Sequence, residues 1–478
     1  MLLEPKEIDK EKVGFFHFRQ LNGQYLLTND IGDYCFLEPP SFDAFLTGKI
    51  EQTFPEKYSE LQSKGFIKDK LDFDSLSQKY ASKNAFLGQG PSLHIVVVTL
   101  RCDHQCIYCQ AGSQSLRAKN LDMDIPVAQK VVDRIFESPS PSITIEFQGG
   151  EPLVNFKTVK FIVEYALKKN REAKKKLMIT VVSNLTFINQ KILKFLLKNN
   201  IHVCCSLDGP EDIHNKYRVA SGPKNSYKNT VRWLKKLRKE YKQAKISFQP
   251  SALATVTRFS LLHPKEIIDE YVSLGLEGIH LRPVSPFGAS PKVWKGISFS
   301  AEDFIKFYIK ALDYIIDLNL KGKNFDERFA MLFLTKILTD RDPNYLDIRS
   351  PCGAGIGQLA YNFNGDVYTC DEGRMLSRLG DESFKLGNVV DNSYPDIINS
   401  QVVKTMSIAS CLHSLPGCSQ CAYKPYCGVC PLYNYSVSGN VFTKAPLLCK
   451  INKAILDYLF SKLQDGEVKK IFYKWVGE

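Results

Sequence analysis

The sequence has no apolar run approaching the roughly 20 residues that a membrane-crossing helix needs. Its first residues also lack the basic-then-apolar pattern of an export signal. The cytoplasm is therefore the expected location, and no membrane partner is expected. No internal repeat stands out. At 478 residues the chain exceeds the usual single-core limit, so two or three domains are expected. A hydrophobic content of 44% with 24% charged residues is ordinary for a folded, soluble protein. The fourteen cysteines are not ordinary. Without an export signal they point to metal or redox chemistry rather than to disulfides. They also cluster, three between Cys102 and Cys109 and eight between Cys352 and Cys449.

The formal charge of +12 raises the question of nucleic acid. The excess sits in runs such as Lys168–Lys176 and Lys235–Lys245, on segments of helical periodicity. A solvated helix face explains them most simply, and a surface for an acidic peptide or RNA is the alternative. Nucleic acid is not the expected partner.

Four regions are expected: 1–88, 89–300, 301–350 and 351–478. In the first, Phe15–Arg19, Gln24–Thr28 and Tyr34–Leu37 read as short strands, with Asn22-Gly23 as a hairpin turn. Helical patches follow near Ser41–Leu46 and Glu56–Ser63. From Ser92 the rhythm becomes strand–helix alternation, with strands expected at Leu93–Thr99, Ser142–Phe147, Lys176–Val182, Ile201–Ser206, Ile246–Thr255 and Gly278–Val284. Six such units imply an α/β fold, a partial (β/α)6 barrel whose chemistry sits at the C-terminal ends of the strands. A helical stretch from Ala301 to Leu338 leads into a Cys- and Gly-rich region of the kind held together by metal ligation. A helix at Lys450–Leu463 is expected to close the chain.

Cys102, Cys106 and Cys109 follow the first barrel strand. Three thiolates at this spacing can hold three irons of a [4Fe–4S] cube and leave the fourth open. A zinc site would want a fourth ligand nearby, and His104 lies within the loop itself. CxxxCxxC with an aromatic, Tyr108, before the last cysteine resembles the radical S-adenosylmethionine superfamily. Gln148–Pro152 resembles that superfamily's GGEP motif. Ser183-Asn184 ends the third strand, and Ser206-Leu-Asp-Gly-Pro with His214 and Arg218 ends the fourth. The resemblance implies that S-adenosylmethionine is held by Tyr108, Gly149, Gly150, Glu151, Ser183, Asn184, Ser206 and Arg218. For His214 a structural hydrogen bond, rather than a catalytic role, is expected. Cys204 and Cys205 read as buried thiols, and Cys35 and Cys411 as structural.

Cys352, Cys370, Cys418, Cys421, Cys427, Cys430 and Cys449, with Gly365, resemble the SPASM extension of peptide-modifying radical enzymes, although the last spacer of the CxxC group is one residue short. A zinc ribbon at Cys418–Cys430 is the competing reading. The resemblance implies two auxiliary [4Fe–4S] clusters, making three in all. The nearer falls to Cys352, Cys370 and Cys430, and the outer to Cys418, Cys421, Cys427 and Cys449. Sulfatase-maturing relatives carry a further cysteine six residues after the first, where this chain has Gln358. The nearer cluster thus lacks a fourth cysteine. Asp371 stands where those relatives place a general base, with an N-cap or turn role as the alternative.

The runs FHFR at Phe16–Arg19, YLLTNDIGD at Tyr25–Asp33, PCGAGIGQLA at Pro351–Ala360 and GDVYTCDEGR at Gly365–Arg374 resemble the His-Xaa-Ser system maturase family. That family implies oxidation or cross-linking of a ribosomally made precursor peptide, with a second radical enzyme as partner and a flavodoxin or ferredoxin as electron donor. The β-then-α order of residues 1–88 resembles a winged-helix peptide-recognition domain, which adds an extended leader peptide to a sheet edge. The alternatives are a structural cap for that unit, and side-chain oxidation of the sulfatase-maturase type or RNA modification for the enzyme.

Overall fold

A computed structural model describes residues 8–222, 225–287 and 293–478. Its centre is a nine-stranded sheet. Across it run Leu281–Pro283, Ser251–Val256, His202–Ser206, Lys176–Ser183, Ser142–Gln148, Leu93–Val97, Gln358–Tyr361, Asp366–Tyr368 and Lys385–Asn388. The first seven are parallel, and the last two are antiparallel additions.

Alternation along each strand decides which side chains meet the site. Successive residues point to opposite faces. In Ser142–Gln148, Ile143, Ile145 and Phe147 enter the main core beneath the helices. Glu146 and Gln148 point the other way and line the cavity on the inner face. The helices follow their own periodicity. Ile125–Phe136 buries Ala128, Val131, Val132 and Ile135, one stripe at three- and four-residue steps. Its N-cap, Asp124, accepts from Val127 N, a contact worth about 1 kcal/mol.

The expected strands and helices from Leu93 to Ser206 are present within a few residues. The fifth strand starts at Ser251 rather than Ile246: Lys245 has φ 55° and Pro250 cannot donate to a ladder. The expected sixth strand is two pieces. Gly278–Ile279 pairs with Asp326–Glu327, and Leu281–Pro283 joins the main sheet. A Cβ at Gly278 would stand 2.2 Å from Asp326 Oδ1, so only glycine admits that crossing. The stretch 301–338 is two helices, Ala301–Leu320 and Arg328–Leu338, interrupted at Gly322 (φ 84°). Phe304, Tyr308, Phe333 and Leu334 pack into the barrel's own core.

Sequence reading did not foresee that the Cys-rich region completes the sheet. Gln358–Tyr361 lies parallel to Leu93–Val97, with Ala360 opposite Ile95. A last helix, Gly466–Val476, follows the expected one, which spans Pro446–Lys462.

The N-terminal unit is a three-stranded antiparallel sheet of His17–Leu21, Gln24–Thr28 and Tyr34–Leu37, backed by the helices Pro39–Leu46 and Pro55–Ser63 around a core of its own. Asn22 and Gly23 both have positive φ (51° and 82°), which a two-residue hairpin turn requires. The unit docks through Arg19, paired with Asp457 at 2.5 Å, and Thr28, which donates to Ala422 O at 2.7 Å. The lysines at 235, 236 and 239 are exposed on a helix that buries Leu234, Leu237 and Tyr241, as a solvated face would be. No described helix is long and apolar enough to cross a membrane.

Candidate active site and metal centres

Cys102, Cys106 and Cys109 sit on the loop after the Leu93–Val97 strand. They line one cavity of about 330 Å³ together with Tyr108, Gly149, Gly150, Glu151, Ser183, Asn184, Ser206, Arg218 and Asp371. All nine residues expected to serve the cofactor or the chemistry thus meet the first cysteine triplet in one place.

The triplet's loop is held by its neighbours. Its backbone runs against 217–221: Gln105 N donates to Val219 O (2.8 Å), Ile107 N to Tyr217 O (2.9 Å) and Ser221 N to Asp103 O (2.7 Å). Asn184 Nδ2 reaches Asp103 Oδ1 at 3.0 Å and Cys102 Sγ at 3.7 Å. His104 and His214 converge on Ser226 Oγ at 2.8 and 2.9 Å, so His214 makes the expected hydrogen bond. Cys102, Asp103 and His104 offer ligand atoms within 4.8 Å of one another. Both His104 ring nitrogens are engaged, however, Nδ1 by Asp103 at 2.9 Å, which leaves the thiols as the donors of this site.

Burial raises the Cys106 thiol to about 12 and pushes Cys102 further still. Buried thiols of this kind lose their protons only to a cation, the donor set that an iron–sulfur cube or a zinc ion requires.

The glycines of the Gly149-Gly150 turn serve the chain itself. A Cβ on Gly149, whose φ is 125°, would stand 2.4 Å from Thr99 O. One on Gly150 would stand 2.4 Å from Arg101 O. Close passage over the first strand's end already demands them, apart from any approach to a ligand.

Glu151 is enclosed and takes hydrogen bonds from Ser183 Oγ (2.8 Å), Asn184 N (2.8 Å) and Leu153 N (3.1 Å). Burial outweighs these bonds and lifts its carboxyl to about 7. No cation is paired with it among the described residues, so it suits an ammonium ligand. Arg218 binds Asp208 through Nε (2.9 Å) and Nη2 (3.2 Å) and lies over the Tyr108 ring. Tyr108 donates to the same Asp208 carboxylate. The Nη1 edge of Arg218 is what remains for a ligand carboxylate.

Asp371 is not an N-cap; Cys370 occupies that position. Its carboxylate is bonded by Arg374 Nε at 2.6 Å, and Arg374 Nη1 reaches Ala111 O at 3.3 Å.

The auxiliary cysteines fall in two neighbouring places. Cys352, Cys370 and Cys430 meet in one apolar cluster with Phe287, Met375 and Leu432. Cys418, Cys421, Cys427 and Cys449 line a second cavity that Cys430, Lys444 and Lys453 also line. Cys35 and Cys205 are buried, Cys204 and Cys411 half-buried, and none is in a disulfide.

Sequence reading missed Glu146, Arg282, Asp347 and Glu372, which line the same cavity as the first cysteine triplet. A charge within an otherwise apolar strand was the available signal for Glu146 and for Arg282. Asp347 and Glu372 gave none.

Two family models match the chain. Residues 96–270 match the radical SAM superfamily, and residues 352–431 match the SPASM iron–sulfur cluster-binding domain. A cysteine-type anaerobic sulfatase-maturating enzyme of Clostridium novyi is 23% identical, over 78% of this chain and 96% of that protein. The radical SAM cyclopropyl synthase TigE of Paramaledivibacter caminithermalis is 29% identical, over 58% of this chain and 56% of its own. Among solved structures, anSMEcpe with bound AdoMet superposes with a TM-score of 0.67 at 20% identity, covering 81% of this chain and 98% of that one. Streptococcus suis SuiB bound to precursor peptide SuiA gives a TM-score of 0.55 at 13% identity, covering 92% and 99%.

Proposed function

We propose that this chain, a radical S-adenosylmethionine domain joined to a C-terminal SPASM domain, is an enzyme that abstracts hydrogen from a residue of a ribosomally made peptide and leaves a cross-link or an oxidised side chain. The observation that carries this is the single cavity reaching from Cys102, Cys106 and Cys109, past Glu151 and Arg218, to Asp371 beside the second cysteine triplet.

Cys102, Cys106 and Cys109 would hold a [4Fe–4S] cluster, which would supply the electron for reductive cleavage of S-adenosylmethionine to a hydrogen-abstracting 5′-deoxyadenosyl radical. The remaining roles belong to the chain. Glu151 takes the methionine ammonium, and Arg218 Nη1 takes its carboxylate through a charge-assisted bond. Tyr108 and Asp208 hold that guanidinium in place. Ser183 and Asn184 orient Glu151, and Ser206 lies at the strand end on the cofactor's side of the cavity. Asp371 accepts the proton released as the substrate residue is oxidised. Cys352, Cys370 and Cys430 hold a nearer auxiliary cluster, and Cys418, Cys421, Cys427 and Cys449 an outer one, three clusters in all.

The substrate is a precursor peptide of the His-Xaa-Ser type, and a second radical maturase acts with the enzyme. The N-terminal unit, residues 1–88, is a winged-helix-like module that takes the leader as an added strand. The likeness to TigE, and to SuiB solved with its precursor peptide, supports this reading. Lys444 and Lys453 beside the outer cysteines suit an acidic electron donor such as flavodoxin or ferredoxin. Side-chain oxidation of the sulfatase-maturase type is a second reading, favoured by Asp371 and by the likeness to the Clostridium novyi protein.

Anaerobic reconstitution with iron, sulfide, reductant and S-adenosylmethionine, followed by mass measurement of the peptide, tests this. Loss of two mass units is expected for a cross-link or dehydrogenation. An unchanged peptide beside abundant 5′-deoxyadenosine would reject peptide maturation.

A further inference from the structure

The nearer auxiliary site has three thiols, Cys352, Cys370 and Cys430, gathered in one buried cluster. A cube needs a fourth donor. Gln358, which opens the strand paired with Leu93, is 3% exposed. A neutral amide is a poor substitute for a thiolate.

We infer that the fourth ligand of this cluster is the Asp347 carboxylate. The inference rests on the reading of Cys352, Cys370 and Cys430 as cluster ligands, and adds a residue to it.

Three observations point to Asp347. The first is its backbone anchoring. A Cβ on Gly428 would stand 2.3 Å from Asp347 O and 2.5 Å from Ile348 Cα, so the turn Leu346–Ile348 lies directly on the chain two residues before Cys430. Five residues further on, Cys352 is fixed by its N–H to Ser410 Oγ at 2.9 Å. The main chain of Asp347 is thus fixed against the segment that carries Cys430, five residues before Cys352. Second, it lines the same cavity as Cys430. Third, it is the available carboxylate at this wall. Glu372 takes Arg282 Nη2 at 3.3 Å and Asp371 takes Arg374 Nε at 2.6 Å. Asp347 accepts no hydrogen bond and forms no ion pair among the described residues. It borders both the substrate cavity and the cavity of the outer cysteines.

A carboxylate oxygen completes the four donors that a [4Fe–4S] cube takes, with weaker donation than sulfur. Replacing thiolate by a less donating ligand raises a cluster's potential, as histidine does in Rieske centres. With four protein donors, Cys352, Cys370, Cys430 and Asp347 would hold a cluster able to accept the electron of the substrate radical without ligating the substrate.

The test uses the full chain with Cys102, Cys106 and Cys109 replaced by alanine, so that only the auxiliary clusters contribute. Reconstituted with 57Fe, this parent is compared with Asp347→Cys, Asp347→Asn and Asp347→Ala versions by Mössbauer spectroscopy and EPR-monitored redox titration. Expected for Asp347→Cys is loss of the single oxygen-ligated iron component and a lower midpoint potential of one cluster. Expected for Asp347→Ala, or for Asp347→Asn should the alanine form fold poorly, is a [3Fe–4S]⁺ EPR signal on mild oxidation. Spectra and potentials identical to the parent in the Cys and Asn variants overturn the assignment while leaving the clusters intact. A parent that binds no auxiliary iron–sulfur cluster overturns the underlying reading instead, and this inference with it.

Discussion

Arg374 Nε donates to the Asp371 carboxylate at 2.6 Å, and that arginine is completely enclosed, at 0% exposure. A buried cation with one carboxylate partner makes Asp371 a determinant of stability as well as the proposed base. Asp371→Asn leaves the guanidinium buried and uncompensated, at a cost of about 3–5 kcal/mol, read as a lower denaturation midpoint. The variant is expected to form 5′-deoxyadenosine but not modified peptide. Adding Arg374→Met should restore stability without restoring product. Recovery of product in that double variant would assign Asp371 a structural role only.

Glu151 gives the site a pH dependence. Burial raises its carboxyl from 4.5 to about 7. Between those values the folded chain holds a proton that the unfolded chain has lost, so this group's contribution to stability falls as pH rises through that window. An ammonium ligand reverses the preference and drives the proton off. S-adenosylmethionine affinity should therefore weaken as pH drops below about 7, with proton release visible by calorimetry in buffers of different ionisation enthalpy. Glu151→Gln should bind more weakly and lose the proton release. A pH-independent affinity in the native chain would contradict the assignment.

Gly150 sits where a Cβ would meet Arg101 O at 2.4 Å and Leu100 C at 2.6 Å. Both are backbone atoms and cannot swing aside. Gly150→Ala should destabilise the chain by about 1–3 kcal/mol. It should also weaken S-adenosylmethionine binding by displacing Glu151, the next residue. An alanine variant with native affinity and stability would show that the turn relaxes freely.

Replacing Cys102, Cys106 and Cys109 together by alanine should abolish 5′-deoxyadenosine formation. The auxiliary cysteines lie in separate clusters, so iron content should fall by roughly a third, four irons of twelve. Loss of all iron would indicate that the three sites assemble as one unit.

Much of this site was readable beforehand because its parts are local. The CxxxCxxC loop, Gly149-Gly150-Glu151 and Ser183-Asn184 each follow a β-branched strand, and parallel strands bring their C-terminal ends together. The strand Gln358–Tyr361 was not readable. Its four residues are all buried, so it has neither alternation nor length to mark it. Arg282, Asp347 and Glu372 escaped for another reason. Each lies far along the chain from the first cysteine triplet and Glu151, and the pairing of Gln358–Tyr361 with Leu93–Val97 brings the Cys-rich region against the barrel. The reason for Gly149 and Gly150 was likewise invisible, because the first strand's end that crowds them lies some fifty residues earlier.

The most direct test of the central claim is EPR of the anaerobically reconstituted, reduced protein before and after S-adenosylmethionine is added, with product analysis of the same sample. The account predicts a [4Fe–4S]⁺ signal that changes on addition, through direct binding at the open iron, together with 5′-deoxyadenosine. Zinc in place of iron at Cys102, Cys106 and Cys109, or a signal indifferent to the nucleotide, would contradict it.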